Sequence, residues 1–474
     1  MKLGDIAQKV GAQGQLGKAL AQIEPRGFSI DSRAMQPGEL FFAIRGPSHD
    51  GHEFVADALA KGTCAAVVSH DISNLKSQIS NPPLLRVEDT LVALQTLAHA
   101  VREEWGGPVI GITGSAGKTA TKELTARMLS AGGAKVIKSI GNFNNAYGLP
   151  LSVLQLVSGG TQPEEVDYLV LEMGMSAPGE ITQLCSVAPT DVGVVTLVAP
   201  AHLEFFPSID AIAEAKAEMV DNIKEGGVAV LNLDDPRVAR MRFRRLIEVR
   251  TFGIEESADV TAVDIELRGL RGSRFTLQTP RGTVPVESPL MGRHNIYNAL
   301  AAATVADYYG VPLERIAEAL SQAAPPSKRG EIIRFPRGFT VINDAYNSNP
   351  RALKEMVATL SATNSVKRRI VVAGEMLELG ERGPELHREC GREMARRGVD
   401  IIVGVRGLAQ EIVEGARQAA MPEKATYFCE TPEAAARWLF DNLQDGDLVL
   451  VKGSRGVQLE RVIGELRRLS GETG

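Results

Sequence analysis

Pro108-Val-Ile-Gly-Ile-Thr-Gly-Ser-Ala-Gly-Lys-Thr-Ala-Thr-Lys-Glu123 is the stretch from which the rest of the chain is read. Val109, Ile110 and Ile112 make an apolar run suited to a short buried strand. Gly114 to Gly117 supply a loop, and the residues from Lys118 onward read as a helix. A glycine loop that opens a helix presents backbone N–H groups to a phosphate. Lys118 is then placed to reach terminal phosphates, and the Thr119 hydroxyl to ligate Mg²⁺. The commoner form of this motif has an earlier glycine where this chain has Ile112, so only the shorter Gly114-Ser-Ala-Gly-Lys-Thr119 form remains. A chance glycine turn is the alternative, and the strand and helix on either side weigh against it.

With 474 residues the chain exceeds what one core serves, and its length predicts about three domains. Hydrophobic residues at 44% and charged residues at 23% are the balance of a soluble globular protein. A net charge of −6 leaves no overall basic footprint, so no nucleic acid is expected as partner. Cys64, Cys185, Cys390 and Cys429 lack metal-ligand spacing and read as reduced, mostly buried thiols. No apolar run approaches the length of a membrane span. The first residues, Met1-Lys-Leu-Gly-Asp-Ile-Ala-Gln-Lys-Val10, lack the apolar core of a signal peptide. The expectation is a soluble, cytoplasmic protein, monomeric and multi-domain.

Residues 1–85 read as a small α/β unit. Leu40-Phe-Phe-Ala-Ile44 and Ala65-Ala-Val-Val-Ser69 have strand character, and residues 52–61 read as a helix that Gly62 stops. Asp31-Ser-Arg33 precedes the first strand and a polar loop at 46–52 follows it. Loops at strand ends often carry ligand groups, but by themselves these two read as ordinary surface turns. Asn81-Pro-Pro83 reads as a linker. Residues 90–105 then form a helix leading into the phosphate loop. Strands at 135–138, 168–173, 192–198 and 228–233 alternate with helices. That alternation predicts a largely parallel sheet with helices on both faces, with ligands at the carboxyl ends of its strands.

Three side chains in this region stand out. Glu172 closes the apolar run Tyr168-Leu-Val-Leu171; it either holds Mg²⁺ or faces solvent. His202, in Ala201-His-Leu-Glu204, follows a strand, although a lone histidine is most often structural. Lys216 lies in a helix predicted over 208–223, on an apolar stripe with Ile209, Ile212, Met219, Val220 and Ile223 and opposite Glu214 and Glu218. A lysine there must snorkel, pair or lose its charge, and a neutral buried lysine is reactive. On the residues alone a snorkelling stem is the simpler reading.

Residues 258–290 change character. Phe275-Thr-Leu-Gln-Thr-Pro-Arg-Gly-Thr-Val-Pro-Val286 reads as a hairpin turning at 280–282. Arg293, His294, Asn295 and Asn298 cluster at the start of an Ala-rich helix, either as simple caps or as contacts for a nucleotide base. Pro325-Pro-Ser-Lys-Arg-Gly330 marks a second boundary. After it, strands at 339–342, 369–373, 401–405 and 448–451 alternate with helices in a Rossmann-like pattern without the dinucleotide glycine fingerprint.

Together, in order and over nearly the whole chain, these motifs resemble those of the Mur ligases, the ATP-dependent amide-bond-forming enzymes of peptidoglycan synthesis. The resemblance implies an α/β protein of three domains. A small N-terminal α/β domain (1–85) would bind a uridine-nucleotide substrate. A central P-loop domain with a mixed or parallel sheet (86–325) would bind ATP, and a Rossmann-like C-terminal domain (326–474) would complete the ligase. It also implies that Gly114, Ser115, Ala116, Gly117, Lys118, Thr119 and Ala120 contact ATP, with His294, Asn295 and Asn298 at the adenine and Arg329 and Asp344 from the third domain. Thr119, Glu172, His202 and Lys216, the last in carbamylated form, would hold Mg²⁺. Lys118, His202 and Lys216 would serve catalysis.

Within the family, Gly141-Asn-Phe-Asn-Asn-Ala-Tyr-Gly-Leu-Pro150, Asp344-Ala-Tyr-Asn-Ser-Asn-Pro350 and Lys452-Gly-Ser-Arg455 resemble members that add D-alanyl-D-alanine to UDP-N-acetylmuramoyl-tripeptide. That resemblance implies substrate contacts at Ser32, Arg33, Asn142, Asn145, Tyr346, Asn347, Asn349, Lys452, Ser454 and Arg455. Lys452 and Arg455 would grip carboxylates, with pairing to a local acid as the alternative. Asp234-Asp-Pro-Arg237 only echoes a motif that another member carries later in its chain. Glu375, in Gly374-Glu-Met-Leu-Glu-Leu-Gly380, stands where relatives often have Asp, and the acid is expected to do the same work. The rivals are another Mur-type ligase, a folylpolyglutamate synthetase, a P-loop ATPase without ligase activity, and a non-catalytic nucleotide-binding scaffold.

Overall fold

The structure, a computed structural model, describes residues 1–14, 16–46, 49–72, 83–200, 203–364 and 366–471. Two residues of the expected linker, Asn81 and Pro82, and His202 lie outside them. Two compact units interleave along the chain. The first comprises Met1–Thr113, Gly133–Val194 and Glu218–Ala229; the second comprises Gly114–Gly132, Val195–Ala217 and Val230–Gly474.

In the first unit, Phe28–Ser29, Leu40–Phe42, Ala65–Val68 and Leu84–Arg86 form a four-stranded parallel sheet in that order. The helix expected over 52–61 is a 3₁₀ turn, Gly51–Phe54, followed by the α-helix Val55–Ala60. Thr90–Trp105 forms the expected helix. The Asp89 carboxylate caps its start by accepting from Leu91 N and Val92 N, and Gly106 at φ 70° ends it. Leu94, Leu97, Ala98 and Val101 face its core. Val109–Thr113 is buried throughout and pairs in parallel with Tyr168–Glu172, which pairs in parallel with Val136–Lys138.

The strand expected over 192–198 is Thr190–Val195. The residues that follow leave the ladder because their backbone groups are taken elsewhere. Thr196 O accepts from Asn232 Nδ2, Leu197 O from Ser115 N, and Val198 N donates to Asp235. The helix expected over 208–223 is Ile209–Asp221. Ile223 does not extend its stripe; it opens the strand Ile223–Asn232.

In the second unit, Lys118–Ala131 is the helix behind the glycine loop. Ser273–Thr279 and Gly282–Ser288 form the expected antiparallel hairpin. The Ala-rich helix is Arg293–Tyr308, nearly all of it buried beyond its first turn. The C-terminal sheet has six strands in the order Glu331–Arg334, Thr340–Asp344, Asp447–Lys452, Arg368–Gly374, Ile401–Val405, Thr426–Cys429. All its described pairings are parallel except that between Glu331–Arg334 and Thr340–Asp344. Apolar clusters cover both faces of this sheet, one including Ile342, Val371 and Leu450, the other Val341, Val372 and Val449. Alternation along each strand feeds the two layers. The α/β class expected from the sequence holds. No helix among the described residues is long and apolar enough to cross a membrane.

Candidate functional site

The glycine loop has the backbone that a phosphate cradle needs. Gly114 has φ 146° and Gly117 has φ 85°, and a Cβ at either position would strike a neighbour, Thr196 Oγ1 at Gly114 and Asn298 Oδ1 at Gly117. Lys118 Nζ donates to Gly114 O at 2.8 Å, so the lysine arches back over the loop. The loop is held from the residues after the strand Thr190–Val195. Ser115 N donates to Leu197 O, Thr196 Oγ1 donates to Ala116 O at 2.6 Å, and Ser115 Oγ accepts from Ala199 N at 3.0 Å. Thr119 and Ala120 lie in the first turn of the helix, where its N–H groups and dipole favour an anion.

Lys216 does not snorkel: it is only 2% exposed. Burial lowers its pKa well below the ordinary lysine value, and the positive charge of Lys118 adds to the shift. The helix Ile209–Asp221 therefore presents an amine whose charged form burial disfavours, while Glu214 on its other side pairs with Arg244. A neutral amine is a nucleophile toward CO₂, and burial shifts Lys216 toward that form.

The polar residues at the start of the Ala-rich helix are not side-chain N-caps: Gly292 holds the cap position, and no side chain bonds there. Asn295 Nδ2 donates to Met291 O at 2.8 Å, and Asn298 Nδ2 donates to Asn295 Oδ1 at 3.0 Å. His294 Nδ1 is buried without a hydrogen-bond partner among the described residues, and burial lowers the ring's pKa. A buried nitrogen with an open lone pair or proton is what a ligand would satisfy.

Farther along, the Arg329 guanidinium stacks over Tyr346, 4.0 Å from the ring centroid, and Arg455 approaches the same ring at 5.9 Å. Lys452 Nζ donates to Asp344 Oδ2 at 2.6 Å and to Asn347 O at 2.9 Å. Asn349 caps the helix Pro350–Ser361 by accepting from Ala352 N, and Ser454 Oγ accepts from Leu377 N. The Glu375 carboxylate accepts from Leu408 N at 3.1 Å.

In the first unit, Glu172 does not face solvent: it is 2% exposed, and Oε1 accepts from Asn144 Nδ2 at 2.8 Å. Ser139 Oγ accepts from Glu172 N at 2.9 Å. A buried carboxylate at a strand's end is a hard oxygen donor suited to Mg²⁺. Asn145 accepts from Tyr147 N and Gly148 N, and so shapes the turn into the helix Gly148–Val153; Asn142 lies in the preceding turn. In the N-terminal sheet, Arg33 grips Asp31 through Nε and Nη2, which holds the Asp31 pKa down at about 2. Ser32 is buried, and its carbonyl accepts from Lys61 Nζ at 2.6 Å.

Comparison with known proteins covers the whole of this arrangement. Residues 25–104 match the Mur ligase family catalytic domain, 112–306 the Mur ligase middle domain, and 328–455 the Mur ligase glutamate ligase domain. The chain belongs to the Mur ligase family. The UDP-N-acetylmuramoyl-tripeptide–D-alanyl-D-alanine ligase of Bacillus subtilis is 34% identical over 440 residues, which is 93% of this chain and 93% of that one. A crystal structure of MurF from Acinetobacter baumannii has a TM-score of 0.86 at 31% identity, covering 98% of both chains. A MurF ligase from Thermotoga maritima in complex with ADP has a TM-score of 0.79 at 29% identity, covering 96% of this chain and 100% of that one.

This Mur ligase also uses residues that its motifs did not single out. Asn144, beside the named Asn142 and Asn145, is the amide that touches Glu172. In Asn232-Leu-Asp-Asp-Pro236, Asn232 bonds Thr196 O, and Asp235 accepts from Val198 N at 2.8 Å. Asp234 accepts from Ile254 N, Glu255 N and Glu256 N and from Tyr297 Oη at 2.7 Å. The stretch thus ties the support of the glycine loop to the helix Arg293–Tyr308. Its sequence signal is a pair of acids before a proline at a strand end.

Proposed function

We propose that this chain is an ATP-dependent ligase that joins D-alanyl-D-alanine to UDP-N-acetylmuramoyl-tripeptide, releasing ADP and phosphate, in the cytoplasmic synthesis of peptidoglycan precursor. The carrying observation is that 34% identity with the Bacillus subtilis ligase runs through 93% of both chains. The match of residues 25–104 to a Mur ligase domain, around Asp31-Ser-Arg33, favours this over a folylpolyglutamate synthetase. The proposed domain limits are 1–85, 86–325 and 326–474.

The chemistry asks two anions to react. A substrate carboxylate oxygen attacks the γ-phosphorus of ATP, and ADP leaves. The dipeptide amine then attacks the acyl carbon, loses a proton, and phosphate leaves. Charge neutralisation is the main task in the first step. The N–H groups of the loop 114–117 and the start of the helix Lys118–Ala131 bind phosphate oxygens, and Lys118 supplies a point charge that releases Gly114 O to do so. Thr119 Oγ1, the Glu172 carboxylate, His202 and carbamylated Lys216 are the proposed Mg²⁺ ligands. Mg²⁺, when bound, offsets charge on the phosphates and the acyl oxygen. His294, Asn295 and Asn298 orient the base; Arg329 and Asp344 contact the nucleotide from the third domain. Ser32 and Arg33 hold the uridine nucleotide. Asn142, Asn145, Tyr346, Asn347, Asn349, Lys452, Ser454 and Arg455 are the proposed contacts for peptide and dipeptide. Lys452 is already neutralised by Asp344, so Arg455, which has no such partner among the described residues, is the better carboxylate grip.

The test is phosphate release from ATP and Mg²⁺ with UDP-N-acetylmuramoyl-tripeptide, with and without D-alanyl-D-alanine. Release requiring both, with a matching mass gain on the nucleotide, is expected. Release that ignores both would make the protein a simple ATPase.

A further inference from the structure

The net charge of −6 hides a local surplus of the opposite sign. Pro236-Arg-Val-Ala-Arg-Met-Arg-Phe-Arg-Arg-Leu-Ile247 contains five arginines and no acid. It runs from the short helix Pro236–Arg240 through the 3₁₀ turn Met241–Phe243 into a bend before the strand Glu248–Gly253. Val238 and Met241 are buried and anchor it. Phe243, by contrast, is 76% exposed and Leu246 106%. The Arg242 guanidinium lies over the Phe243 ring, 4.7 Å from its centroid. Arg237 and Arg244 pair with Asp210 and Glu214, whereas Arg240 and Arg242 are exposed and no acid pairs with either among the described residues.

We infer that this segment docks the protein onto an anionic lipid bilayer. Leu246 is as exposed as in an extended peptide, so none of the described residues leans over it and it stands out from the surface. A protruding Phe–Leu pair suits a soft plane, the interfacial zone of a bilayer, where apolar side chains enter and guanidiniums stay among the headgroups. A peptide partner would need a groove around it. Nucleic acid would engage the arginines but gain little from Leu246. The arginines supply the attraction because a guanidinium stays charged and forks onto phosphate oxygens. A short apolar insertion and a few charges are each weak alone, so binding needs both, is reversible, and weakens with salt.

The test is co-sedimentation of the full chain with vesicles of phosphatidylcholine, with or without a third of phosphatidylglycerol. The bound fraction is expected to rise about tenfold with the anionic lipid and to fall back in high salt. Phe243→Ser with Leu246→Ser, and separately Arg240→Glu with Arg242→Glu, should each abolish the rise. Circular dichroism melts should confirm that both variants are folded, and ATP turnover in vesicle-free solution should be unchanged. Equal binding to both vesicle types overturns the proposal, as does anionic-vesicle binding that survives both double substitutions. Binding to single-stranded RNA or polyglutamate without any to vesicles also overturns it, and gives the patch a different partner.

Discussion

Lys216 shows how one residue can be costly to the fold and still be retained. Unfolded, its amine titrates near 10.5; folded, burial and Lys118 lower that value. Between the two pKa values the unfolded chain holds a proton that the folded one lacks, so stability rises with pH through that window. Above 10.5 both states are neutral and the penalty is gone. Lys216→Met keeps the apolar stem and removes the titrating tip. In CO₂-free buffer at neutral pH it should melt about 2–4 °C higher than the parent while turning over no substrate. A stabilised and active Met variant would mean that the lysine is only packing. Lys216→Ala should lose at least about a hundredfold in kcat, and acetate or formate should restore part of it if an anionic oxygen is what the position supplies. Rescue by neutral amides to the same degree would refute that role.

Among the elements, the phosphate loop depends on a segment far away in sequence. Thr196 Oγ1 fixes the Ala116 carbonyl, and Asn232 and Asp235 fix the residues around Thr196. Thr196→Val preserves shape and deletes one hydrogen bond, worth about 1 kcal/mol. Its expected mark is a KM for ATP about five- to tenfold higher with kcat little changed, because ground-state and transition-state phosphate contacts weaken alike. Asp235 sets a sharper test. One carboxylate oxygen caps the helix Pro236–Arg240 through Arg237 N, and the other accepts from Val198 N. An asparagine has a single carbonyl oxygen and can serve only one of them. Asp235→Asn should therefore lower stability by about 1–2 kcal/mol and raise the KM for ATP, whereas Asp235→Glu should restore neither. An unaltered KM with lowered stability would show that the asparagine keeps the Val198 bond and gives up the cap; an unaltered KM in Asp235→Ala, which can make neither, would show that the segment 196–199 does not govern the loop.

For the molecule as a whole, the C-terminal sheet has its own apolar layer on each face. From residue 326 onward it carries nearly all of that core, to which Met291 adds a buried side chain and Leu203 and Leu270 pack from earlier in the chain, so the fragment comes close to what independent folding requires. A fragment of residues 326–474 should be monomeric in sedimentation and unfold in one cooperative transition, with near-ultraviolet dichroism from Trp438 and its packed Tyr427. A non-cooperative melt would show that the proposed limit at 326 cuts through a folding unit.

The pattern of residues by itself determined the α/β class, the glycine loop between strand and helix, and most strands and helices to within a few residues. Those signals are local: apolar periodicity, glycines where the backbone must turn, acids and glycines at helix ends. It also marked Lys216, because a lysine on an apolar stripe is visible in the helical period alone. Whether that lysine snorkels or is buried was a tertiary question, since the residues that exclude water from its tip come from elsewhere in the chain. The same holds for Glu172, whose burial rests on how Asn144 and Ser139 are brought to it. The strand end at Val195 was misjudged because long-range partners claim the next backbone groups. The bonds of Asp234 and Asp235 were not legible because a carboxylate that accepts from residues tens of positions away leaves no periodic trace. The arginine run at 237–245 is legible in the sequence, but only the fold decides that Arg240 and Arg242 stay exposed near an exposed Phe243 and Leu246.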